Sequence, residues 1–136
     1  MPTLVSGYNS SMRLRILAMA LVVVALVAFL DIYLGIDKGY FWTIWWWDIL
    51  EHMLGGVALG LAGAWAMLGM GKRPTLVVCL GAAFAVGLVW EIFEYVVFGT
   101  GAGIFMSYPL DTLKDVLDDC IGGFTAGLFV TRVLRA

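Results

Sequence analysis

Residues 46–70 read WWDILEHMLGGVALGLAGAWAMLGM, and the titratable side chains of this run, Asp48, Glu51 and His52, all stand near its start. An apolar run of about 20 residues is long enough to cross a bilayer as a helix. Three further apolar runs occupy residues 14–36, 75–98 and 112–133. The pattern predicts an all-α fold: a polytopic membrane protein in which four transmembrane helices form a bundle and residues 1–136 form a single membrane domain.

The composition excludes several classes of protein. Of the 136 residues, 62% are apolar and 13% are charged, whereas soluble domains carry about 25% charged residues. With eight basic residues and a net charge of -2, a nucleic-acid groove is also excluded. Cys79 and Cys120 lie inside apolar runs, so no disulfide framework is expected. The expected partner is the lipid bilayer, and the sequence leaves assembly into a homo-oligomer open.

The basic residues fall on one side of the predicted bundle, apart from Lys38 and Lys114. Cytoplasmic loops of membrane proteins carry an excess of Lys and Arg, so both termini are predicted to be cytoplasmic. The aromatic residues at 40–47 are typical of a belt at the opposite, outer interface. The residues that set this orientation are Arg13, Arg15, Lys72, Arg73, Arg132 and Arg135.

The ten acidic residues all fall toward the outer side in this orientation. At 1.5 Å per residue, Glu91 and Asp119 lie about 10 Å beneath the outer surface, within the hydrocarbon region. Asp48 and His52 are four residues apart and share a helix face, and Asp115 and Asp119 do the same in the fourth run. Small residues continue along these faces and allow helix backbones to approach each other. The acids are therefore expected to point at each other rather than at lipid.

Two stretches of the chain share a nine-residue pattern. Residues 48–56 read DILEHMLGG and residues 115–123 read DVLDDCIGG. Both open predicted helices that run in the same direction, which fits a tandem duplication of a two-helix hairpin. Parallel repeats of this kind occur in transporters, where the site lies at the repeat interface. We predict a bundle built from two parallel-repeat helical hairpins, with chance similarity between apolar helices as the alternative.

Carboxylates inside a bilayer are costly. An ionised acid at the bilayer centre costs about 2.5–3.5 kcal/mol on insertion scales. Lys114 can neutralise one charge and His52 another, so the remaining acids must be protonated or bind a cation. Oxygen ligands with a single imidazole suit Mg²⁺, Ca²⁺, Mn²⁺, Fe²⁺ or Zn²⁺. The candidate metal ligands are Asp48, His52, Glu91, Glu94, Asp115 and Asp119, with Asp31, Glu51, Asp111 and Asp118 as secondary candidates.

Each candidate also has a structural interpretation. Asp48, Glu51 and Asp111 lie where helix N-caps and first-turn acids are favoured. Asp118 can pair with Lys114 on its own helix. Glu91, Asp115 and Asp119 are the hardest to explain in this way, because they are the deepest acids.

A family resemblance adds to this interpretation. The residues WEIFEY at 90–95, followed by Asp111-Thr112 and then Asp115, Asp119 and Gly123, resemble a pattern of small YjdF-like bacterial membrane proteins. A looser scheme resembles VanZ-like proteins: an Asp and a His opening one helix, an acid closing the next, and Asp and Gly on a third. The similarity covers roughly residues 48–127 and implies a multi-pass protein of the bacterial inner membrane. VanZ-like proteins are linked to glycopeptide resistance, but this chain carries Asp in its fourth helix where their pattern has an amide.

Three functions fit these features. The first is binding of a divalent metal cation at an acidic site in the outer half of the bilayer, with metal transport as an extension. The second is a metal-dependent membrane enzyme acting on lipid or cell-wall intermediates, in which His52 or Glu94 serves as a general base beside a metal-bound water. The third is a non-catalytic membrane assembly subunit whose acids are protonated or bonded between helices.

Overall fold

The computed structural model describes residues 4–70, 73–99 and 105–133, and all regular secondary structure in these ranges is helical. This confirms the all-α prediction. Lys72 and Arg135, two of the residues that set the predicted orientation, lie outside the described ranges. The helices are α1 (Leu4–Phe29), a π-helical continuation of α1 (Leu30–Asp37), α2 (Tyr40–Thr43), α3 (Trp47–Gly69), α4 (Leu76–Phe98) and α5 (Tyr108–Val133).

The first helix extends beyond its predicted span of 14–36. It begins at Leu4, because no proline lies between Leu4 and Phe29 and helical hydrogen bonding continues through the polar residues ahead of the apolar run. After Phe29 the helix widens into π-helical turns, and the Lys38 N–H donates to the Tyr33 carbonyl at 3.1 Å. π-helical turns are rare in proteins, and those that occur are often at functional sites. This one carries Asp31.

The other long helices begin and end where the local sequence favours it. The Thr75 hydroxyl caps α4 by accepting a hydrogen bond from the Val78 N–H at 3.3 Å. The helix is followed by Gly99, whose φ of 67° lies in the left-handed region. α5 begins before the predicted residue 112, because Pro109 in its first turn needs no hydrogen-bonded N–H and has a φ suited to a helix start.

Helix α3 lies at the centre of the bundle, with α1, α4 and α5 packed against it. At one end of the bundle, the Arg13 guanidinium of α1 lies 4.7 Å from the centroid of the Trp65 ring on α3. At the opposite end, the Asp31 carboxylate approaches Glu51. α1 therefore runs antiparallel to α3. The last turns of α1 and α4 and the first turns of α3 and α5 meet there, and we call this the acid-rich end.

Small side chains fill the space between the helices. Ala64, Cys79 and Ala83 expose no surface, whereas Val77 and Val96 are largely exposed on the outside. In a bilayer, helix association depends on close van der Waals packing, because lipid is as apolar as the side chains. The distribution is that of a membrane bundle with small residues inside and large apolar residues outside.

Glycines bring α3 and α5 into backbone contact. A Cβ at either Gly56 or Gly122 would overlap a backbone carbonyl oxygen of the facing helix. One turn beyond Gly56, a Cβ at Gly60 would come within 2.8 Å of the Ala126 Cβ. Gly56 and Gly60 form a GxxxG spacing, which is typical of closely packed membrane helices.

The two nine-residue stretches lie side by side in these helices. His52 contacts Asp119, which is 67 positions later, and Lys114 contacts Asp48, which is 66 positions earlier. Further along, Gly60 meets Gly123 and Ala126. A nearly constant offset shows that α3 and α5 run parallel. Residues 48 and 115, where the stretches begin, are separated by the same 67 positions, so equivalent residues face each other. Duplication of a whole helical hairpin stays a prediction.

Three helices in the described part of the chain are long and apolar enough to cross a membrane: Ser10–Asp37, Trp47–Gly69 and Leu76–Phe98. α5 is 26 residues long, but it carries Lys114 and several aspartates in its first half. The structure thus supports an all-α membrane protein, and a fourth membrane span through α5 stays a prediction.

Adjacent glycines provide a matched test of the packing between α3 and α5. The added methyl group of Gly56→Ala would overlap the Asp119 backbone, so the substitution should lower the free energy of unfolding by about 1–3 kcal/mol. At Gly55 the nearest atom to a new Cβ is an Asp119 carboxylate oxygen at 3.7 Å, an ordinary contact. Gly55→Ala should therefore be tolerated. Thermal unfolding of both purified variants measures the difference, and equal stability would contradict the described packing.

Candidate functional site

A buried histidine lies at the centre of the polar residues at the acid-rich end. His52 and Asp48 share one face of α3, four residues apart, and the His52 Nε2 lies 3.6 Å from Asp48 Oδ1. The same nitrogen lies 3.8 Å from Asp115 Oδ1 on α5. The other ring nitrogen, Nδ1, lies 3.4 Å from Asp119 Oδ2. The imidazole is therefore enclosed by three carboxylates from two parallel helices.

The α5 side of this cluster is almost fully buried. Asp115 is 3% exposed and Asp119 is 4% exposed. Gly87 on α4 makes room for the Asp119 carboxylate, because a Cβ at position 87 would overlap Asp119 Oδ2. Close helix packing thus sets the position of the carboxylate as well as the distance between the backbones.

Lys114 also links the two helices. Its ammonium nitrogen lies 2.8 Å from Asp48 Oδ2, contacts Asp115 Oδ1 and lies 3.6 Å from Asp118 Oδ2. The Asp118 contact is the one that helical spacing predicts. Sequence reasoning missed the contact with Asp48, although the alignment of Asp48 with Asp115 in the repeated pattern is a signal that could have indicated it.

The arrangement is suited to a divalent cation. One ligand atom each from Asp48, His52 and Asp115 lie within 4.8 Å of one another. When two ligand atoms each lie about 2.0–2.2 Å from the same ion, the distance between the two atoms is of this order. Asp119 approaches the other ring nitrogen, which is the position of an outer-shell carboxylate in many histidine metal sites. We call Asp48, His52, Asp115 and Asp119 the carboxylate–histidine cluster.

Two predicted ligands on α4 lie outside this group of ligand atoms. Glu91 is 3% exposed and faces Thr112, but its Oε1 has no hydrogen-bond partner among the described residues. Glu94 instead accepts a hydrogen bond from the Trp90 indole N–H at 2.9 Å. Neither is among the atoms that converge within 4.8 Å, and their role as metal ligands stays a prediction.

The secondary metal-ligand candidates fall into two groups, one on α5 and one at a neighbouring cavity. Asp118 pairs with Lys114, and Asp111 lies half-buried in the first turn of α5. Asp31 and Glu51 line a cavity of about 450 Å³ between α1, α3 and α4. Asp48, His52, Glu94 and Asp119 also line this cavity, which therefore borders the carboxylate–histidine cluster.

One residue of the predicted aromatic belt is a core residue. Trp47 is 5% exposed and packs against Tyr40, with their ring centroids 4.9 Å apart. Trp42, Trp45 and Trp46 are exposed, as the belt interpretation expects. Trp47 differs because it forms the first turn of α3, the central helix.

The Lys114 contacts predict a stability difference between two lysines. Lys114→Met leaves the carboxylates of Asp48 and Asp115 without their ammonium partner, and it should lower the free energy of unfolding by about 1–3 kcal/mol. Lys38 is the matched control, because it pairs with Asp37 while 47% exposed. Lys38→Met should cost less than about 1 kcal/mol. Equal losses in thermal unfolding would contradict a role for Lys114 in linking α3 and α5.

Comparison with known proteins agrees with a membrane protein. The chain matches the family model described as "Predicted membrane protein (DUF2238)" over residues 2–136. Comparisons with curated proteins and with solved structures found no significant match. The match supports a membrane-protein family, and the finer YjdF-like and VanZ-like resemblances stay predictions. Since the model covers almost the whole chain, the protein belongs to the DUF2238 family of predicted membrane proteins.

Proposed function

We propose that this protein binds a divalent metal cation at the carboxylate–histidine cluster. The observation that carries the proposal is the convergence of Asp48, His52 and Asp115, whose ligand atoms come from two helices and lie within 4.8 Å of one another. Asp119 orients the histidine from its other side. Oxygen ligands with one imidazole favour hard or borderline ions, and Mg²⁺, Ca²⁺, Mn²⁺, Fe²⁺ and Zn²⁺ all fit this description.

The charge balance of the cluster supports a cation. Asp48, Asp115, Asp118 and Asp119 face one ammonium group and one imidazole. Charges removed from water need partners, and removal of a partner from a buried group is strongly destabilising. A divalent ion bound by Asp48, His52 and Asp115 supplies the missing positive charge, while Lys114 pairs with Asp48 Oδ2, the oxygen that is not the one close to His52.

We place the site in the outer half of the bacterial inner membrane. The carboxylates lie at the acid-rich end, and Arg13 and Arg132 lie toward the opposite end of the bundle. The positive-inside rule then makes the basic end cytoplasmic. Transport across the membrane requires a polar route from the cluster to that end. The described parts of α3, α4 and α5 beyond His52 and Asp119 are apolar apart from Thr125, Thr131 and Arg132, so metal binding without transport fits better.

A metal-dependent enzyme is a second candidate, and the neighbouring cavity favours it. His52 and Asp119 belong to the cluster and also line the cavity of about 450 Å³. A substrate in this cavity would lie beside the metal site. Glu94 also lines the cavity and would serve as the general base. The third interpretation, a non-catalytic assembly subunit, is favoured by the contacts of Lys114, which link α3 and α5 without an ion.

Metal content tests the proposal. Purified protein, equilibrated with Zn²⁺ or Mn²⁺ and then freed of unbound ion, should retain a stoichiometric amount of one of these metals when measured by elemental analysis. Asp115→Asn keeps the size of the side chain but removes an anionic ligand, so it should weaken binding at least tenfold.

Asp37→Asn is the matched control, because the Asp37 side chain is 59% exposed and pairs only with Lys38 among the contacts of the described residues. It should bind metal as the unchanged protein does. Equal, negligible metal in all three proteins would contradict metal binding and favour the assembly interpretation. Equal retention by all three would show that the metal is bound elsewhere.

A further inference from the structure

The cavity between α1, α3 and α4 has a polar end and an apolar end. Its carboxylates, contributed by Asp31, Glu51 and Glu94 together with the edge of the carboxylate–histidine cluster, lie at the acid-rich end. Deeper in the bundle the lining changes to small and aliphatic side chains, among them Val24, Ala58 and Val86. A volume of about 450 Å³ lies within the range of pockets for small organic ligands.

Glu51 is the feature that points to a ligand. Its side chain is 93% buried by relative surface, since only 7% remains exposed, and it lines the cavity. Glu51 Oε1 has no hydrogen-bond partner among the described residues. The Trp47 indole N–H is near but unbonded, and Asp31 adds a second negative charge close by. A buried carboxylate oxygen without a hydrogen-bond partner is costly unless another group compensates it.

Two aromatic rings complete the polar end. Trp90 and Phe41 line the cavity, and the Trp90 indole is held by its hydrogen bond to Glu94. Aromatic faces attract ammonium and other organic cations, with greater strength where water is excluded. Carboxylates and aromatic faces at one end and aliphatic walls at the other match a molecule with one cationic end and one apolar end.

The charges lining the cavity select against other occupants. His52 is the one side chain in the described lining that can carry positive charge, and three carboxylates already surround it. The phosphate of a phospholipid headgroup would lie among carboxylates and be repelled. A fully apolar molecule would leave Glu51 Oε1 without a polar partner.

We propose that this cavity binds a lipophilic organic cation, with Glu51 as its counter-charge and Trp90 and Phe41 as its aromatic contacts. The positive centre lies between Glu51, Asp31 and Glu94, and the hydrophobic part extends between α1 and α4. The site adjoins the proposed metal site but has a different counter-charge, because Glu51 is not among the Asp48, His52 and Asp115 ligand atoms that converge.

Tetraphenylphosphonium tests this proposal, and tetraphenylborate is its matched probe, since the two ions share a shape and differ in charge. After subtraction of the partitioning measured in protein-free nanodiscs, protein in lipid nanodiscs with EDTA present, so that no metal contributes, should bind radiolabelled tetraphenylphosphonium saturably and should show no saturable binding of tetraphenylborate. Glu51→Gln should weaken tetraphenylphosphonium binding at least tenfold, whereas Asp37→Asn, which removes an exposed carboxylate, should bind as the unchanged protein does.

A second variant, which blocks the cavity sterically, keeps the test decisive if Glu51→Gln does not fold. Gly55 lines the cavity, and the nearest atom to a Cβ there is an Asp119 carboxylate oxygen at 3.7 Å, so Gly55→Leu has room for its Cβ and adds side-chain volume to the lining of the cavity. It should abolish binding while the protein remains monodisperse and thermally stable. Absence of saturable binding by the unchanged protein, equal binding of the two probes, or unchanged binding by folded Glu51→Gln or Gly55→Leu would each overturn the proposal.

Discussion

Electrostatic balance among buried carboxylates is the constraint on which the rest of this structure depends. The cluster at the acid-rich end holds Asp48, Asp115 and Asp119 around the ring of His52. Lys114 pairs with two of these carboxylates, Asp48 and Asp115. Interactions between charges strengthen as water is excluded, so repulsion among these groups and attraction to any cation are both larger than at a surface. The cluster is stable only where each carboxylate has a proton, an ammonium group, an imidazole or a metal ion beside it.

Glycines make this balance geometrically attainable. Gly56 and Gly122 bring the backbones of α3 and α5 together, and Gly87 leaves room for the Asp119 carboxylate beside α4. Larger residues at these positions would separate the helices and carry the carboxylates away from His52. The same close packing on the α5 side contrasts with the open space between α1 and α4, where the cavity lies. The two proposed sites therefore share a boundary formed by Asp48, His52 and Asp119, but differ in their other residues and in their chemistry.

Helical periodicity explains how much of the site could be predicted from the sequence. A period of 3.6 residues places Asp48 with His52 and Asp115 with Asp119, and the structure brings these four residues together. The repeated pattern, shared by two predicted parallel helices, is matched by the contact of the equivalent residues His52 and Asp119. These features depend on local spacing and on the order of the helices, both of which are readable in the chain.

Features that depend on helix rotation could not be read in this way. Glu91 faces Thr112 rather than the converging ligand atoms, and Trp47 is buried although its neighbours are exposed. The π-helical turns after Phe29, which contain the cavity-lining residue Asp31, have no simple sequence signal. Each of these details follows from how neighbouring helices turn and tilt against one another, and an isolated helix pattern does not contain that information.

Nitrogen and proton NMR of the His52 imidazole tests whether carboxylates from two helices enclose this ring, because His52 is the one histidine in the sequence. With selectively labelled histidine, we expect a single, solvent-protected ring whose Nδ1 signal shifts in Asp119→Asn and whose Nε2 signal shifts in Asp115→Asn. Asp37→Asn should leave both signals unchanged. A ring that exchanges freely with water and responds to neither substitution would contradict a histidine enclosed by carboxylates from two helices.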